Sequence, residues 1–231
     1  MSTAPYAPHT TTQTPSAAGL RVGAVLLAAG SGSRMGHRPK SLLLLDGEPL
    51  ILRHWRALHM AGVQAVRVVL GHHAAQFEPV LEAAGLRRGQ DWITHTDPDR
   101  GQVSSQRLGL AALPEDLDAV LVALADQPLI GVREIASLIE AYRHRPAGAE
   151  ALVPMVQGER GNPVIFSARV RTNILQGADD FGGRQWQQAH PQAVYRWPAT
   201  SAGYAVDLDT PEDIERLRAA GVQDVRWPDA N

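Results

Sequence analysis

A glycine-rich turn with two basic side chains follows the first apolar run of the chain. Residues 27–36 read Leu-Ala-Ala-Gly-Ser-Gly-Ser-Arg-Met-Gly, and Pro39 and Lys40 come shortly after them. Glycine lets backbone N–H groups approach phosphate oxygens closely, and Arg34 and Lys40 add positive charge. Lys40 is the only lysine among the 22 Lys and Arg residues, which indicates a position that needs a compact ammonium group. The segment therefore predicts a phosphate-binding loop.

Two well-known phosphate loops do not match this spacing. A dinucleotide-binding loop needs Gly-x-Gly-x-x-Gly and an acid near the end of the second strand. Here the last two glycines lie one residue further apart, and the second strand is followed by Gly71, His72 and His73. A P-loop needs glycine directly before Lys-Ser, but Pro39 stands there. The remaining alternative is a tight strand-to-helix turn with surface basic residues. We interpret the two histidines as surface or loop residues, because they lack metal-ligand spacing.

Two acidic segments could hold a metal ion. Asp126 directly follows an apolar run, and a carboxylate at the carboxyl end of a central parallel strand lies where α/β folds bind ligands. Asp207 and Asp209 alternate along an extended segment, so both point to the same side. Hard oxygen ligands suit Mg²⁺. The alternatives are a turn residue for Asp126 and favourable charge near a helix N-terminus for the second segment.

These residues need a scaffold, and the apolar pattern predicts one. Apolar runs alternate with amphipathic stretches as far as about residue 141, which indicates a mostly parallel sheet with helices on both faces. The predicted strands are Val22–Ala28, Ala65–Leu70, Asp91–Thr96, Ala119–Ala125, Ala151–Val156, Pro163–Phe166 and Ala193–Trp197. The predicted helices are Pro49–Ala61, Ala74–Ala84, Ser104–Ala112, Val132–Arg143, Ser167–Gln176 and Thr210–Ala220. We expect a single α/β domain over 20–220, a disordered N-terminal tail over 1–19 and a C-terminal tail over 221–231.

Composition excludes several classes of protein. The hydrophobic fraction is 44 % and the charged fraction 20 %, as in ordinary globular proteins. The chain has no cysteine, so disulfides, thiolate nucleophiles and cysteine-bound metals are excluded. A net charge of −2 argues against a general nucleic-acid binder. We find neither a membrane-spanning apolar stretch nor a signal peptide, and we therefore expect a cytoplasmic protein.

The glycine-rich string with its downstream Pro-Lys resembles the signature of a known enzyme superfamily. It is similar to nucleotidyltransferases, and in particular to the molybdenum cofactor cytidylyltransferases and their guanylyltransferase relatives. The similarity extends over roughly Val22 to Arg218. It implies a Rossmann-like, doubly wound sheet of the glycosyltransferase-A-like type. It also implies a reaction in which a nucleoside triphosphate and a phosphate monoester combine, with release of pyrophosphate.

The resemblance assigns roles to residues in each motif. Arg34, Lys40 and Asp126 would be catalytic, and Mg²⁺ would be held by Asp126 with Asp209, which we favour over Asp207. The acceptor would be bound by Arg160, Gly161, Asn162 and Pro163, although this chain departs from the family's pattern at Gly177–Gly183. The nucleotide would be bound by Leu27, Ala28, Ala29, Gly30, Gly32, Ser33, Arg34, Lys40, Gly71, Gln102 and Ser104.

The resemblance also implies substrates and partners. Ala29 stands where the guanylyltransferases have a second glycine, which favours CTP. The implied acceptor is molybdopterin, a molybdoenzyme is the implied partner, and no nucleic acid or membrane is expected. The alternatives are a guanylyltransferase, a transferase acting on another small phosphate, a dinucleotide oxidoreductase, and a non-catalytic, nucleotide-binding chaperone for a molybdoenzyme.

Overall fold

The computed structural model describes residues 19–222 and 224–228, and these form strands and helices in alternation. The strands are β1 (Val22–Ala28), β2 (Leu44–Leu45), β3 (Glu48–Pro49), β4 (Ala65–Leu70), β5 (Trp92–Thr94), β6 (Ala119–Leu124), β7 (Ala151–Val156), β8 (Glu159–Arg160), β9 (Val164–Ser167), β10 (Val194–Pro198) and β11 (Val225–Arg226). The helices are α1 (Leu50–Met60), α2 (Ala74–Ala83), α3 (Gln102–Ala111), α4 (Val132–Arg143), α5 (Ala168–Gln176), α6 (Gly183–Ala189) and α7 (Pro211–Ala219).

The main sheet is mixed but mostly parallel. Its strand order is β10-β7-β9-β6-β1-β4-β5, with β8 paired to β7. β1 runs parallel to β4 and β6, so that Leu27 lies opposite Val69 and Leu124. β9 runs antiparallel to both β6 and β7, and the short strand β8 runs antiparallel to β7. The residues that follow β1, β4 and β6 therefore emerge at one edge of the sheet, where α/β folds bind ligands. The predicted single α/β domain is confirmed.

Helices cover both faces of this sheet. Every residue of β1 is buried, and its side chains alternate between two apolar clusters. Leu26 faces one cluster, to which α1 and α4 contribute, and Val25 faces the other, to which α3 and α5 contribute. This arrangement explains why β1 reads as an uninterrupted apolar run. It also fixes the end of β1, and hence the start of the glycine-rich loop, in the middle of the molecule.

The structure differs from the predicted elements in two places near the ligand edge. α3 begins at Gln102, two residues before the predicted start. α6 occupies a stretch for which no element was predicted. Its first residue and the residue before it, Gly183 and Gly182, are glycines, which carry little helical signal. A Cβ at Gly182 would lie 2.8 Å from the end of the Gln106 side chain, so glycine there permits close packing against α3.

The segment predicted as a C-terminal tail contains a short strand. β11 pairs with β2, which pairs with β3. Val225 is buried in a third apolar cluster together with Met35, Leu208 and Ile214. The guanidinium of Arg38 lies 4.0 Å from the centroid of the Trp227 ring. A two-residue strand is too short to show a sequence period, so the sequence does not predict β11. Through Val225 and Trp227, the C-terminal segment packs beside residues of and next to the glycine-rich loop.

At the N-terminus, the predicted disordered tail falls on residues 1–18, which lie outside the described residues, and on Gly19. Within 19–222 and 224–228, none of the helices has the length and apolarity needed to cross a membrane.

Burial of His54 predicts a loss of stability in mild acid. This α1 side chain is fully buried. Burial, assisted by the neighbouring Arg53 charge, lowers the pKa of His54 from 6.5 to about 4. Between these two values the unfolded chain binds more protons than the folded chain. The free energy of unfolding should therefore fall as pH drops from 6.5 to 4, by a total of about 3 kcal/mol.

Urea unfolding of the protein at pH 7.5 and pH 4.5 measures this effect. In His54→Leu the histidine contribution should vanish, so the difference between the two pH values should shrink. His144→Leu, which changes an exposed histidine side chain, should keep the difference of the parent. An equal pH dependence in His54→Leu and the parent would contradict the assignment.

Candidate active site

The glycine-rich loop is a compact turn that only glycine permits at its centre. Gly32 has φ 61°, in the left-handed region that favours glycine. A Cβ at Gly32 would also lie 2.2 Å from the carbonyl oxygen of Arg38. The amide of Met35 donates to Gly32 O at 2.8 Å, and the buried Met35 side chain anchors the turn. The loop is thereby held in one shape before any ligand binds.

A cavity of about 220 Å³ lies against this loop. Its walls combine backbone groups of the loop with three charged side chains, as expected of a site for phosphate groups. The lining residues are Leu27, Ala28, Gly30, Ser31, Gly32, Ser33, Arg34, Pro39, Lys40, Ser41, Phe77 and Asp126.

The Lys40 ammonium lies between two of the predicted metal carboxylates. Its Nζ is 2.7 Å from Asp209 Oδ1 and 3.7 Å from Asp126 Oδ2. Arg34 reaches the other oxygen of Asp209, with Nη2 at 2.9 Å. The side chain of Lys40 is only 16 % exposed, whereas that of Arg34 is 66 % exposed. Lys40 is therefore the buried cation of the cluster, and Arg34 closes it from the solvent side.

The fold holds Asp126 close to Asp207 and Asp209, and burial disfavours the ionised forms of Asp126 and Asp207. The Leu208 amide donates to Asp126 O at 2.9 Å, which fixes the segment of Asp207 and Asp209 beside the end of β6. Burial raises the pKa of Asp126 to about 6, against the opposing effect of Lys40. Burial also raises the pKa of Asp207, and the Asp209 charge adds to that shift. A further cation would relieve both effects.

These residues fit a magnesium ion that shares its ligands with a substrate. The described residues contain no group of three or more His, Asp or Glu side chains arranged to hold a metal by themselves. Mg²⁺ usually takes one or two carboxylates and completes its shell with phosphate oxygens and water. The position of the Lys40 ammonium demonstrates that positive charge fits between Asp126 and Asp209. No described cation makes the corresponding contact to Asp207.

A second cavity, of about 350 Å³, continues from the loop towards the ends of β4 and β5 and has the size for a nucleoside. Ala29 and Gly71 pack tightly at its edge, because a Cβ on Gly71 would lie 2.8 Å from the Ala29 Cβ. The lining residues are Leu27, Ala29, Gly30, Ser31, His72, Pro98, Asp99, Gly101, Gln102, Ser105, Leu124 and Asp126.

The two histidines interpreted as surface or loop residues lie in the loop after β4 and contact the glycine-rich loop. His72 Nδ1 is 3.0 Å from Ala29 O and its Nε2 is 2.9 Å from Asp99 Oδ1. These hydrogen bonds raise the pKa of His72, the Ala29 carbonyl being the largest cause. His73 Nε2 is 2.9 Å from Ser31 O. Sequence reasoning missed this support because nothing in a His-His pair identifies a distant backbone carbonyl as its partner.

Ser104 does not line the cavity in which the resemblance would place it. Its Oγ donates to Gly101 O at 2.8 Å, at the start of α3. The neighbouring Ser105 lines the cavity instead, together with Gln102. Within α3, which begins at Gln102, Ser105 is therefore the serine that faces this cavity.

A third cavity, of about 330 Å³, lies on the other side of Leu27. Arg160 and Asn162 line it, whereas Gly161 and Pro163 do not. A Cβ at Gly161 would lie 2.6 Å from Tyr204 O, so Gly161 permits the close approach of two segments. The lining residues are Leu27, Gln102, Val103, Gln106, Val122, Leu124, Arg160, Asn162, Val164, Gly183, Arg184, Gln185 and Gln187. Four of them come from α6, which the sequence analysis did not predict.

Comparisons with known proteins place the same arrangement in a recognised family. The sequence profile of the MobA-like NTP transferase domain matches residues 24–194. The chain is 36 % identical to the 2-C-methyl-D-erythritol 4-phosphate cytidylyltransferase of Streptomyces avermitilis, with 76 % of each chain covered. It is 30 % identical to the nicotine blue oxidoreductase of Paenarthrobacter nicotinovorans, over 84 % of this chain and 94 % of that one. The structure of Rv0371c from Mycobacterium tuberculosis H37Rv is similar, with a TM-score of 0.68 at 25 % identity, covering 86 % of this chain and 97 % of that one.

Proposed function

This chain belongs to the MobA-like NTP transferase family, and from that premise we propose that it transfers CMP from CTP to molybdopterin and releases pyrophosphate. The chain is a nucleotidyltransferase. The nucleotide and the acceptor are the parts that we propose. The cytoplasm stays our expectation for where the reaction takes place.

The observation that carries the proposal is the meeting of three cavities beside one charged cluster. Leu27 lines all three cavities. Asp126 lines both the cavity against the glycine-rich loop, which we call the phosphate cavity, and the second cavity, which we call the nucleoside cavity. A triphosphate against the glycine-rich loop, with its nucleoside in the second cavity, would place its α-phosphate beside Asp126. The third cavity opens at the same point and carries arginines for an anionic acceptor.

Our proposed mechanism rests on positioning and charge neutralisation. An acceptor phosphate oxygen attacks the α-phosphorus, the bond to the bridging oxygen breaks, and pyrophosphate leaves. The attacking phosphate is already an anion, so the chain needs no strong general base. Loop amides, Arg34 and Lys40 hold the triphosphate and offset the charge of the leaving pyrophosphate. Mg²⁺, when held by Asp126 and Asp209, would supply further charge neutralisation at the phosphates.

A screen of pyrophosphate release tests this proposal. Purified protein is incubated with Mg²⁺, each of the four nucleoside triphosphates, and either molybdopterin or 2-C-methyl-D-erythritol 4-phosphate. We expect release only when CTP and molybdopterin are both present. Turnover with 2-C-methyl-D-erythritol 4-phosphate but not with molybdopterin would show that molybdopterin is not the acceptor. Nucleotide binding without turnover on either acceptor would instead favour a non-catalytic chaperone.

The oxidoreductase name of one relative calls for a separate arm of the screen. A dinucleotide site would bind NADH or NADPH tightly. However, β4 ends at Leu70 and is not followed by an acidic residue that could bind the ribose. We therefore expect neither nicotinamide nucleotide to compete with CTP in equilibrium binding. Competition at micromolar concentration would overturn the assignment of the nucleoside cavity to CTP.

The nucleoside cavity predicts a preference for CTP over GTP. A purine needs more room against the loop backbone than a pyrimidine, and the Ala29 methyl group occupies part of that edge beside Gly71. Ala29→Gly should therefore raise turnover with GTP relative to CTP by about tenfold, which corresponds to about 1.4 kcal/mol. The measurement is kcat/KM for each nucleotide with the same acceptor.

Ala84→Gly, which changes an alanine just after α2, controls for a general effect of added flexibility and should leave the ratio unchanged. A parent enzyme that prefers GTP would refute the prediction outright. An unchanged ratio in Ala29→Gly would move specificity to the other residues of that cavity, such as His72, Asp99 and Gln102.

A further inference from the structure

A fourth cavity lies next to the third cavity and shares two lining residues with it. Its volume is about 340 Å³, and it is bounded by β7, α6 and the edge strand β10. Arg160 and Gln187 line both the third and the fourth cavity. Arg160 Nη1 donates to Gln187 Oε1 at 2.8 Å. One hydrogen-bonded pair of side chains therefore forms the partition between the two cavities.

The partition is rich in hydrogen-bond donors that lack acceptors. Gln187 is only 7 % exposed, and its Nε2 has no hydrogen-bond partner among the described residues. An unpaired buried donor costs free energy unless a ligand or water accepts from it. Within the described part of the chain, no carboxylate forms an ion pair with Arg160, Arg184 or Arg196. Burial and the nearby Arg184 charge lower the pKa of Arg160. The three arginines and the Gln187 amide could therefore all interact with an anionic ligand.

The fourth cavity combines this positive charge with apolar walls. Arg160 and Arg196 are its charged lining residues, and none of the Asp and Glu residues that the structure describes lines it. Val153 and Met155 on β7, and Val194 beside Arg196 on β10, supply apolar surface. Alternate residues of a strand share a face, so Val194 and Arg196 both point into the cavity. An anion that is attached to an apolar body matches such walls better than a free hydrated ion does.

We propose that this fourth cavity binds a second anionic group of the acceptor, which Arg196 and the far side of Arg160 hold. The inference rests on the proposed function, because it assumes that the acceptor phosphate reacts in the third cavity. The enzyme would then select acceptors that carry two separated negative groups joined by a partly apolar body. The Gln187 Nε2 would donate a hydrogen bond to the ligand where the third and fourth cavities meet.

Substitutions at Arg196 and Val194 test the cavity directly with inorganic phosphate as the probe. The full chain is first saturated with the α,β-methylene analogue of CTP and Mg²⁺, which occupies the glycine-rich loop. Phosphate affinity is then measured by calorimetry. Arg196→Ala should weaken the affinity about tenfold, as expected for loss of a charged hydrogen-bond donor, and Arg196→Lys should restore part of it. Val194→Phe should weaken it as well by filling the cavity without removing charge. Arg143→Ala, an exposed arginine on α4, is the matched control and should bind phosphate like the parent.

Kinetics with the acceptor give the second readout. In Arg196→Ala the KM for molybdopterin should rise about tenfold, while the KM for CTP and kcat at saturating acceptor stay at the parent values. Unchanged phosphate affinity in both Arg196→Ala and Val194→Phe would overturn the anion site. Weaker phosphate binding with an unchanged acceptor KM would overturn its assignment to the acceptor. Absence of turnover in the parent would refute the proposed function, and the phosphate measurements would still decide whether the cavity binds anions.

Discussion

Asp126→Asn should reduce kcat by about 10³-fold while the protein stays folded. Asn keeps the shape of the side chain but cannot supply the anionic oxygen that a magnesium ion needs. Electrophilic assistance by a metal is worth several kcal/mol, and each 1.36 kcal/mol corresponds to a factor of ten in rate. The measurement is pyrophosphate release at saturating CTP and acceptor. EDTA should abolish the activity of the parent, and Mg²⁺ should restore it.

The environment of Asp126 separates this loss of activity from a loss of stability. Burial raises the pKa of Asp126 to about 6, so the ionised form is disfavoured in the folded protein at neutral pH relative to the unfolded chain. A neutral amide removes that cost, and the thermal midpoint of Asp126→Asn should match or exceed that of the parent. Asp116→Asn, which changes an exposed carboxylate paired with Arg21, should leave kcat unchanged.

The same assay decides between the two further carboxylates. Asp209 shares the Lys40 ammonium with Asp126, whereas no described cation bridges Asp207 to Asp126. Asp209→Asn should therefore lower kcat nearly as much as Asp126→Asn, and Asp207→Asn should lower it far less. The reverse order would make Asp207 the second ligand. If the parent enzyme keeps its normal rate after EDTA treatment, the metal has no role in the mechanism.

The charged cluster beside the glycine-rich loop could be predicted from sequence because its signals are local. The glycines of the loop, Lys40 and Asp126 each directly follow or closely flank a strand of apolar residues. Parallel pairing of β1 with β6 brings those strand ends together. An apolar run that ends in glycine or in aspartate is visible in one short window. The chemistry of the cluster therefore follows from residue types once the sheet is parallel.

The part of the third cavity that α6 forms could not be predicted in the same way, because its residues meet only through packing. Gln106 on α3 accepts from the Gly183 amide at 2.9 Å and so holds α6 in place. Gln187 on α6 then accepts a hydrogen bond from Arg160, which lies in the short strand β8. A seven-residue helix that begins with glycine has little intrinsic propensity. Its formation depends on contacts that are 77 residues apart in sequence.

Replacing Lys40 by arginine should lower kcat/KM for CTP by about 10²-fold, although the charge is kept. The Lys40 ammonium is a point charge that fits between Asp126 and Asp209 in a space where its side chain is only 16 % exposed. A guanidinium is larger and planar, and its donors diverge in a fixed fork, so it cannot make the two contacts from the same position. The displaced fork would intrude on the phosphate cavity, where a misplaced donor typically costs a factor of this size.

Three comparisons show whether geometry or charge is responsible for that loss. Lys40→Met removes the charge as well and should be at least as impaired as Lys40→Arg, because Asp126 and Asp209 would then face each other without the ammonium between them. Arg53→Lys changes a basic side chain on α1, which pairs weakly with Asp46 at 3.9 Å, and should retain parental kinetics. Equilibrium binding of CTP with Mg²⁺ should weaken in both Lys40 variants, since Lys40 lines the phosphate cavity. If Lys40→Arg binds and turns over CTP as the parent does, positive charge alone is sufficient. In that case the presence of a single lysine in this chain would have no functional cause.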